Sequence, residues 1–224
     1  IGFKEQQFNE LQYAREIAAK YGCEHHEQIV EPESVSLLPK LVGYYDEPFA
    51  DASAIPTYYV SKMARSVVPM VLSGDGGDEA FAGYDRYYLW LNWLEKGGYI
   101  NGYPEWKRLM RPFLHTIMPN RYPLFKPHEP ALENWLRQFF YMDLSERQSL
   151  WRDEYHSLLN MPLDTFDEEI AKAEKYSLGS KVQYLDIKTY LPYDILTKVD
   201  VASMMHGLEV RTPITDIRVF EFAA

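Results

Sequence analysis

Three glycines and three acids are interleaved at residues 74–79, within a stretch at residues 71–87 that reads VLSGDGGDEAFAGYDRY. Glycine-rich turns that follow a strand commonly bind phosphate through their backbone N–H groups. The side chains of Asp75, Asp78 and Glu79 would repel phosphate, so the stretch contains a conflict of charge. A Mg²⁺ ion resolves it, because this ion binds carboxylates and phosphates together, and a substrate ammonium group would also balance the charge. The pattern therefore predicts a site for a cation beside an anionic ligand.

The familiar motifs of this general kind do not fit the stretch. A dinucleotide fingerprint needs a third glycine where Glu79 stands, and a calcium loop beginning at Asp75 needs glycine where Ala80 stands. A Walker loop needs a Gly-Lys pair, which occurs nowhere in the chain. A plain solvent-exposed turn explains the four residues GDGG equally well, since Gly and Asp are common in turns.

The elements that must position this stretch alternate between strand and helix patterns. Helical spacing of apolar residues ends at Gly22, residues 23–30 read as a strand, and two further helices follow, the second beginning after Ser53. The continuous apolar run 67–72 is typical of a buried central strand in a parallel sheet. This order predicts an α/β fold with a doubly wound parallel sheet, in which ligands bind beyond the carboxyl ends of the strands.

The pattern changes at Tyr84, after which no further strand is predicted. The second part is expected to be mainly helical, with an apolar helix face that forms a core. That face consists of Leu132, Trp135, Leu136, Phe139 and Phe140. The sequence thus predicts an α/β nucleotide-binding part over residues 1–83 and a mainly helical part over residues 84–224.

Composition excludes several classes of protein. The 224 residues have a net charge of −10, which argues against a nucleic-acid surface, and no apolar run approaches the ~20 residues of a membrane span. The single cysteine, Cys23, cannot form an internal disulfide and is expected to be a small buried residue. His25 and His26 alternate across the predicted strand, so they are not expected to share a metal. A cytoplasmic location is expected.

Four stretches together resemble the synthetase domain of glutamine-dependent asparagine synthetases. The most specific is LSGDGGDEAFAGYDRY, and the others are IGF, YDEPFADASAIPTYYVSKMAR and LPYDILTKVDVASMMHGLEVRTPITD. They occur in the family's order and span nearly the whole chain. The resemblance implies the adenine-nucleotide alpha-hydrolase fold, a Rossmann-like sheet also called the PP-loop ATPase type.

The resemblance also implies a reaction, its cofactors and its partners. ATP would adenylate the aspartate side chain, and ammonia released from glutamine by a separate N-terminal glutaminase domain would convert β-aspartyl-AMP to asparagine. Mg²⁺ would neutralise the triphosphate and the leaving pyrophosphate. The partners would be small molecules, with no nucleic acid and no membrane, and a homodimer is one option for the assembly.

Positions that match the family's motifs imply roles for Ile1 and for five residues of the glycine stretch. The backbone of Ile1 would contact the adenine or ribose, and Ser73 and Gly74 would bind the nucleotide. Asp75 would support formation and attack of the adenylate, although the family often has Glu there. Asp78 and Glu79 would bind the metal and the substrate ammonium, with Asp78 the candidate metal ligand.

Four charged residues of the late segment match the family motif as supporting groups: Lys198, Asp200, Glu209 and Arg211. Charged runs are more often solvated helix faces, and Arg211 with Glu209 could equally form a structural ion pair. The family's Phe-Leu-Asp after the proline reads Ile-Thr-Asp here, at residues 214–216.

Other readings stay open at this stage. A related amidotransferase or a β-lactam-forming ligase would use the same nucleotide loop with another acceptor, and a non-catalytic relative would keep the fold without the reaction. The chain contains no Ser-Gly-Gly-x-Asp-Ser loop for pyrophosphate and no glutaminase domain, and the lysine expected downstream would fall after Ala224. The sequence therefore resembles part of a synthetase domain.

We expect the 224-residue chain by itself not to make asparagine. Without the pyrophosphate loop and the downstream lysine, a deficit of ~6–8 kcal/mol in transition-state stabilisation lowers the rate by ~10⁴–10⁶. The measurement incubates the purified chain with ammonia, aspartate, ATP and Mg²⁺ and quantifies asparagine and pyrophosphate. Turnover within about tenfold of a complete enzyme would mean that the catalytic groups are misassigned.

Overall fold

The computed structural model describes residues 1–4, 9–30, 34–95, 131–136, 148–160 and 164–224. These ranges are helix-rich, with one short sheet. The helices are α1 Leu11–Tyr21, α2 Ser34–Tyr45, α3 Ala54–Arg65, α4 Gly77–Phe81, α5 Asp85–Glu95, α6 Ala131–Leu136, α7 Asp164–Lys172, α8 Leu178–Lys188, α9 Thr197–Met204 and α10 Ile217–Ala223. A π-helical segment covers Leu191–Leu196, and 3₁₀ segments cover Asp153–Asn160 and Pro213–Thr215. The strands are β1 Met70–Leu72 and β2 Glu209–Arg211.

The chain divides into two compact units. The first consists of Ile1–Ala80 together with Thr189–Ala224, and the second consists of Phe81–Lys188. The last 36 residues therefore group with the first part of the chain, whereas the predicted division placed them in the helical part. Among the described helices, none combines the length and the apolarity needed to cross a bilayer.

The sheet of the first unit is parallel, as the apolar run 67–72 predicted. Within the described residues it has two strands, in the register Met70↔Glu209 and Leu72↔Arg211. The predicted strand over residues 23–30 reduces to one parallel bridge between Gly2 and Ile29. The larger doubly wound sheet stays a prediction.

Two expectations about these strands are wrong. Residues after Tyr84 do contain a strand, β2, which the sequence hides because its three residues are Glu, Val and Arg, with charges at both ends. Strand β1 is also less buried than a central strand: Leu72 is 68% exposed and Met70 is 39% exposed. Met70 and Leu72 point to the same face of this two-stranded sheet, and their exposure shows that little of the described chain covers that face.

Local signals in the first unit explain its helices. The side chain of Asn9 accepts a hydrogen bond from the backbone N–H of Leu11 at 3.1 Å, which helps to begin α1. Gly22 ends that helix in the left-handed conformation, with φ of 64°. Cys23 follows and is exposed, so its predicted burial is wrong: the predicted strand 23–30, to which it belongs, reduces to a bridge at Ile29, and Cys23 is not packed within a sheet.

Helix α3 packs against both α2 and α9 in the core of the first unit. Leu37 and Leu41 of α2 bury their side chains against Tyr58 of α3, and Met205, just after α9, packs on the same cluster. The imidazole of His206 lies on the Tyr58 ring with centroids 4.4 Å apart. Burial, with Lys40 and Lys62 nearby, lowers the pKa of His206. The helix before β1 and the helix before β2 are thereby fixed together.

The second unit has an aromatic core. Tyr87, Trp90 and Trp93 of α5 pack with Trp135 of α6 and Val182 of α8. Trp135 and its neighbour Leu132 confirm part of the predicted apolar face, while Phe139 and Phe140 lie outside the described residues.

One carboxylate is buried in this aromatic core. Asp186 of α8 is fully buried, and its Oδ2 accepts hydrogen bonds from the guanidinium of Arg86 at 2.6 Å and from the hydroxyl of Tyr87 at 2.5 Å. Both donors lie on α5, so these bonds connect α5 to α8.

We expect Asp186→Ala to lower the free energy of unfolding by ~3–5 kcal/mol, because it leaves the Arg86 charge without its buried carboxylate. Chemical denaturation monitored by tryptophan fluorescence measures the change. The control is Glu95→Gln, which alters an exposed carboxylate of α5 and should stay within about 0.5 kcal/mol. Equal stability of the two variants would contradict the assigned role of Asp186.

Candidate functional site

The acidic glycine stretch connects strand β1 to helix α4, which confirms the predicted strand–turn–helix arrangement. The backbone N–H of Ser73 donates to the carbonyl oxygen of Arg211 at 2.8 Å, so the loop begins as a direct extension of the parallel pairing. The Ser73 hydroxyl donates to Asp75 Oδ2 at 2.5 Å. The turn is thus held at the carboxyl ends of β1 and β2.

Two glycines of the loop, Gly74 and Gly76, differ in whether the structure would accommodate a side chain at their positions. Gly76 is buried with φ of +90°, and a Cβ atom there would lie 2.8 Å from Thr215 Cγ2. Gly74 is exposed, has open space where a Cβ would project, and accepts a hydrogen bond from the Gly77 N–H at 3.2 Å. Gly76 is therefore required by the fold, whereas Gly74 leaves its backbone accessible to a ligand.

The three acids of the stretch occupy three different environments. Asp75 is half-buried and bound to Ser73, Asp78 is exposed, and Glu79 is 1% exposed. Consecutive residues of a helix point about 100° apart, which sends Asp78 outward and Glu79 into the interior. Of the two carboxylates predicted to bind the metal and the substrate ammonium, Asp78 is accessible to solvent and Glu79 is not.

The late segment places Arg211 beside the loop, with Glu209 at the other end of the same strand. Glu209 and Arg211, at the two ends of β2, form an ion pair with Arg211 Nε and Glu209 Oε1 2.8 Å apart. Their side chains are 58% and 64% exposed, so the pair contributes little to stability. Glu209 and Arg211 therefore form the structural ion pair that the sequence left open as an alternative to a role in the site. Asp200 is exposed on α9.

Lys198 has a different environment from the other three supporting residues. Its ammonium lies 2.7 Å from Asp51 Oδ2, with the two side chains only 10% and 17% exposed. Asp51 Oδ1 accepts from the Ser53 backbone N–H at 2.8 Å and from its hydroxyl at 2.7 Å. Burial acts to raise the pKa of Asp51, but the hydrogen bonds from Lys198 and Ser53 outweigh it and hold that pKa below its usual range.

Tyr45 completes the surroundings of this ion pair. Its hydroxyl donates to the Lys198 carbonyl oxygen at 3.2 Å, and its ring stacks on Phe49 with centroids 4.4 Å apart. Burial, with Asp51 and Asp194 nearby, raises the pKa of Tyr45 to about 12, so the hydroxyl keeps its proton.

Asp51 is the residue at this site that the sequence analysis did not single out. The sequence offered one signal, an acid two residues before a serine at a predicted helix start, which is typical of a turn in which the acid binds the backbone ahead of it. Nothing in that signal indicates Lys198, which lies 147 residues further along the chain.

The structure also places the first residues and the histidines. Gly2 bonds to the strand-like segment through Gln28 O at 2.8 Å, which fixes the half-buried Ile1 beside it. His25 lies 2.8 Å from Glu27, which also binds Arg15. Within the described ranges, no group of three or more His, Cys, Asp or Glu side chains converges in a way that could hold a metal ion.

Comparisons with known proteins identify the family of this chain. The family model described as Asparagine synthase matches residues 1–224. The chain belongs to the asparagine synthase family. No solved structure matches it.

Curated relatives extend the comparison. "Asparagine synthetase [glutamine-hydrolyzing] 1" of Bacillus subtilis (strain 168) is 32% identical over 231 residues, covering 100% of this chain and 35% of the relative. "Putative asparagine synthetase [glutamine-hydrolyzing] 2" of Methanocaldococcus jannaschii is 31% identical, covering 92% of this chain and 39% of the relative. A putative asparagine synthetase of Mycobacterium bovis is 29% identical over the whole chain and 34% of its own length. The chain thus spans about a third of the length of these relatives.

We expect Gly76→Ala to destabilise the first unit by ~1–3 kcal/mol, because alanine must adopt a positive φ and its methyl group meets Thr215. The matched control, Gly74→Ala, adds the same methyl group in open space and should be tolerated. Thermal unfolding of the two variants measures the difference. An equal loss of stability in both would show that the constraint at Gly76 is misassigned.

Proposed function

We propose that the chain is the synthetase part of an ATP-dependent amide ligase that makes asparagine. ATP activates the side-chain carboxylate of aspartate as β-aspartyl-AMP, with release of pyrophosphate, and ammonia derived from glutamine displaces AMP. The observation that carries the proposal is the pairing of Ser73 with Arg211, which joins the acidic glycine loop to the Gly-x-Glu-x-Arg segment. Family membership and the names of the relatives support the same conclusion.

The nucleotide would bind at the carboxyl ends of the parallel strands. Gly74 is exposed and lets a ligand approach its backbone, and Ser73 presents a hydroxyl beside it. Ile1 would contact the adenine or ribose through its backbone. A doubly wound sheet of the PP-loop ATPase type, larger than the described pair of strands, is part of this proposal because parallel strands bind ligands at this edge.

The three acids of the loop would have different roles, according to how exposed each carboxylate is. Asp75, oriented by the Ser73 hydroxyl, would act at the forming and reacting adenylate. Mg²⁺ fits the exposed Asp78, since this ion is usually bound through one or two carboxylates with water and phosphate completing its shell. When bound, Mg²⁺ would neutralise part of the negative charge on the phosphates. Glu79 is buried, and its negative charge would balance the ammonium group of the substrate from inside the loop.

The four charged residues of the late segment would adjust the electrostatic potential around the nucleotide. Lys198 is a buried cation, and Glu209 and Arg211 form an exposed pair at the ends of β2. Asp200 lies on the same helix as Lys198. A cation at the edge of the site would offset the negative charge of the phosphates and of the loop acids.

We expect Asp75→Asn, in the complete protein, to lower aspartate-dependent ATP–pyrophosphate exchange by ~10²–10³-fold, because it removes a preorganised charge from the reacting centre. The control, Asp85→Asn, removes an exposed carboxylate from the same sequence motif and should leave exchange unchanged. Near-normal exchange in Asp75→Asn would show that Asp75 is only a turn residue.

The same assay tests the acceptor. Exchange in the unmodified protein that requires aspartate supports asparagine synthesis. Exchange that requires another carboxylic acid would assign a related ligase, and nucleotide binding without exchange would assign a non-catalytic relative.

A further inference from the structure

The two strands of the first unit are each preceded by a helix. Helix α3 leads through residues 66–69 into β1, and α9 leads through residues 205–208 into β2. Both connections are tight: the Val68 N–H donates to Ala64 O at 2.9 Å, and the Leu208 N–H donates to Ser203 O at 3.1 Å. Gly207 turns the second connection with φ of 65°.

This arrangement determines where the helices begin. A short connection between a helix and the strand after it reverses the chain direction, so the helix start lies near the strand end. The starts of α3 and α9 therefore lie toward the carboxyl ends of β1 and β2. The acidic glycine loop leaves β1 at this same edge, because Ser73 still pairs with Arg211.

The buried ion pair joins those two helix starts. Asp51 lies three residues before α3, and Lys198 is the second residue of α9. Lys198 Nζ donates a hydrogen bond to Asp51 Oδ2 at 2.7 Å, and this bond connects the start of α9 to the turn before α3. Because Ser53 binds the other carboxylate oxygen, Asp51 is oriented independently of the lysine, and Tyr45 fixes the lysine backbone.

The donors and the flexibility of the Lys198 side chain indicate why its orientation by Asp51 would matter for ligand binding. An ammonium group has three N–H donors, and Asp51 accepts from one of them at 2.7 Å. A flexible lysine stem loses rotamer entropy when it must point at an anion. A carboxylate that holds the stem in advance lowers that cost at the moment of ligand binding.

We propose that Asp51 is a positioning residue, which holds the Lys198 ammonium at the carboxyl edge of the sheet for interaction with a nucleotide phosphate. This inference rests on the proposed function for the identity of the anion. Asp51 itself does not touch the nucleotide, and acts through Lys198.

The substitution Asp51→Asn distinguishes positioning of Lys198 from a purely local role in the turn before α3. Asp51→Asn keeps an oxygen that can accept from Ser53, so the turn before α3 is preserved, but it removes the charge that attracts Lys198. The matched control is Glu47→Gln, which alters an exposed carboxylate of the same loop. Lys198→Met removes the ammonium, and the double variant Asp51→Asn with Lys198→Met completes a cycle.

The first readout is aspartate-dependent ATP–pyrophosphate exchange in the complete protein. We expect Asp51→Asn to lower kcat/KM for ATP by ~10- to 100-fold, the effect of misplacing a group at a reacting centre. We expect Glu47→Gln to match the unmodified protein. Added to Lys198→Met, the Asp51 substitution should cause no further loss, because the lysine through which it acts is gone. A purely structural Asp51 would instead lower thermal stability, leave kcat/KM per folded molecule unchanged and add its effect in the double variant.

The second readout does not depend on activity. Acetic anhydride labelling followed by peptide mass spectrometry measures the reactivity of Lys198 against the exposed Lys175. We expect Asp51→Asn to raise Lys198 labelling several-fold and Glu47→Gln to leave it unchanged.

The two readouts distinguish the two proposals. Absence of exchange in the unmodified protein with every acceptor would overturn the proposed function. Normal exchange kinetics in Asp51→Asn would overturn the positioning role. Unchanged labelling of Lys198 in that variant would also overturn it, and this result can be obtained whether or not the protein catalyses exchange.

Discussion

The parallel pairing of β1 with β2 is the constraint on which the candidate site depends. Its register places Leu72 opposite Arg211, and the next backbone bond, from Ser73 to Arg211, continues that pairing into the acidic glycine loop. Two segments separated by more than half of the chain thereby meet at one edge. If the register slipped by one residue, Glu209 and Arg211 would exchange faces with Val210, and the charges beside the loop would change.

The helices before the strands reinforce this constraint from the other side. Packing of α3 on α9, through Tyr58 and its neighbours, fixes the direction in which both helices approach the sheet. The ion pair at their starts is buried, unlike the exposed pair on β2. A buried pair depends on good geometry and on further hydrogen bonds to offset the loss of hydration, and Ser53 supplies those bonds to Asp51. The two ion pairs thus have different physical meaning, although the sequence shows both as plain charges.

The second unit shows a related use of a buried charge. Asp186 lies among aromatic rings and accepts from Arg86 and Tyr87, so a carboxylate connects two helices inside an apolar cluster. Arg86 also lies over the ring of Tyr84, with its guanidinium carbon 4.3 Å from the centroid. An arginine with both a carboxylate and an aromatic face is held in one orientation, which gives the aromatic core a defined packing.

The sequence by itself determined the features that depend on neighbouring residues. Apolar spacing and the Gly22 and Ser53 signals predicted α1 and α3, and the apolar run with its glycines predicted the strand–turn–helix around Ser73. Its motifs also identified the family. Tertiary structure alone decided the strand at Glu209–Arg211, the burial of Glu79 and the partnership of Asp51 with Lys198. The reason is physical: a three-residue strand and a buried ion pair are stabilised by partners far away in the chain, and local patterns contain no information about those partners.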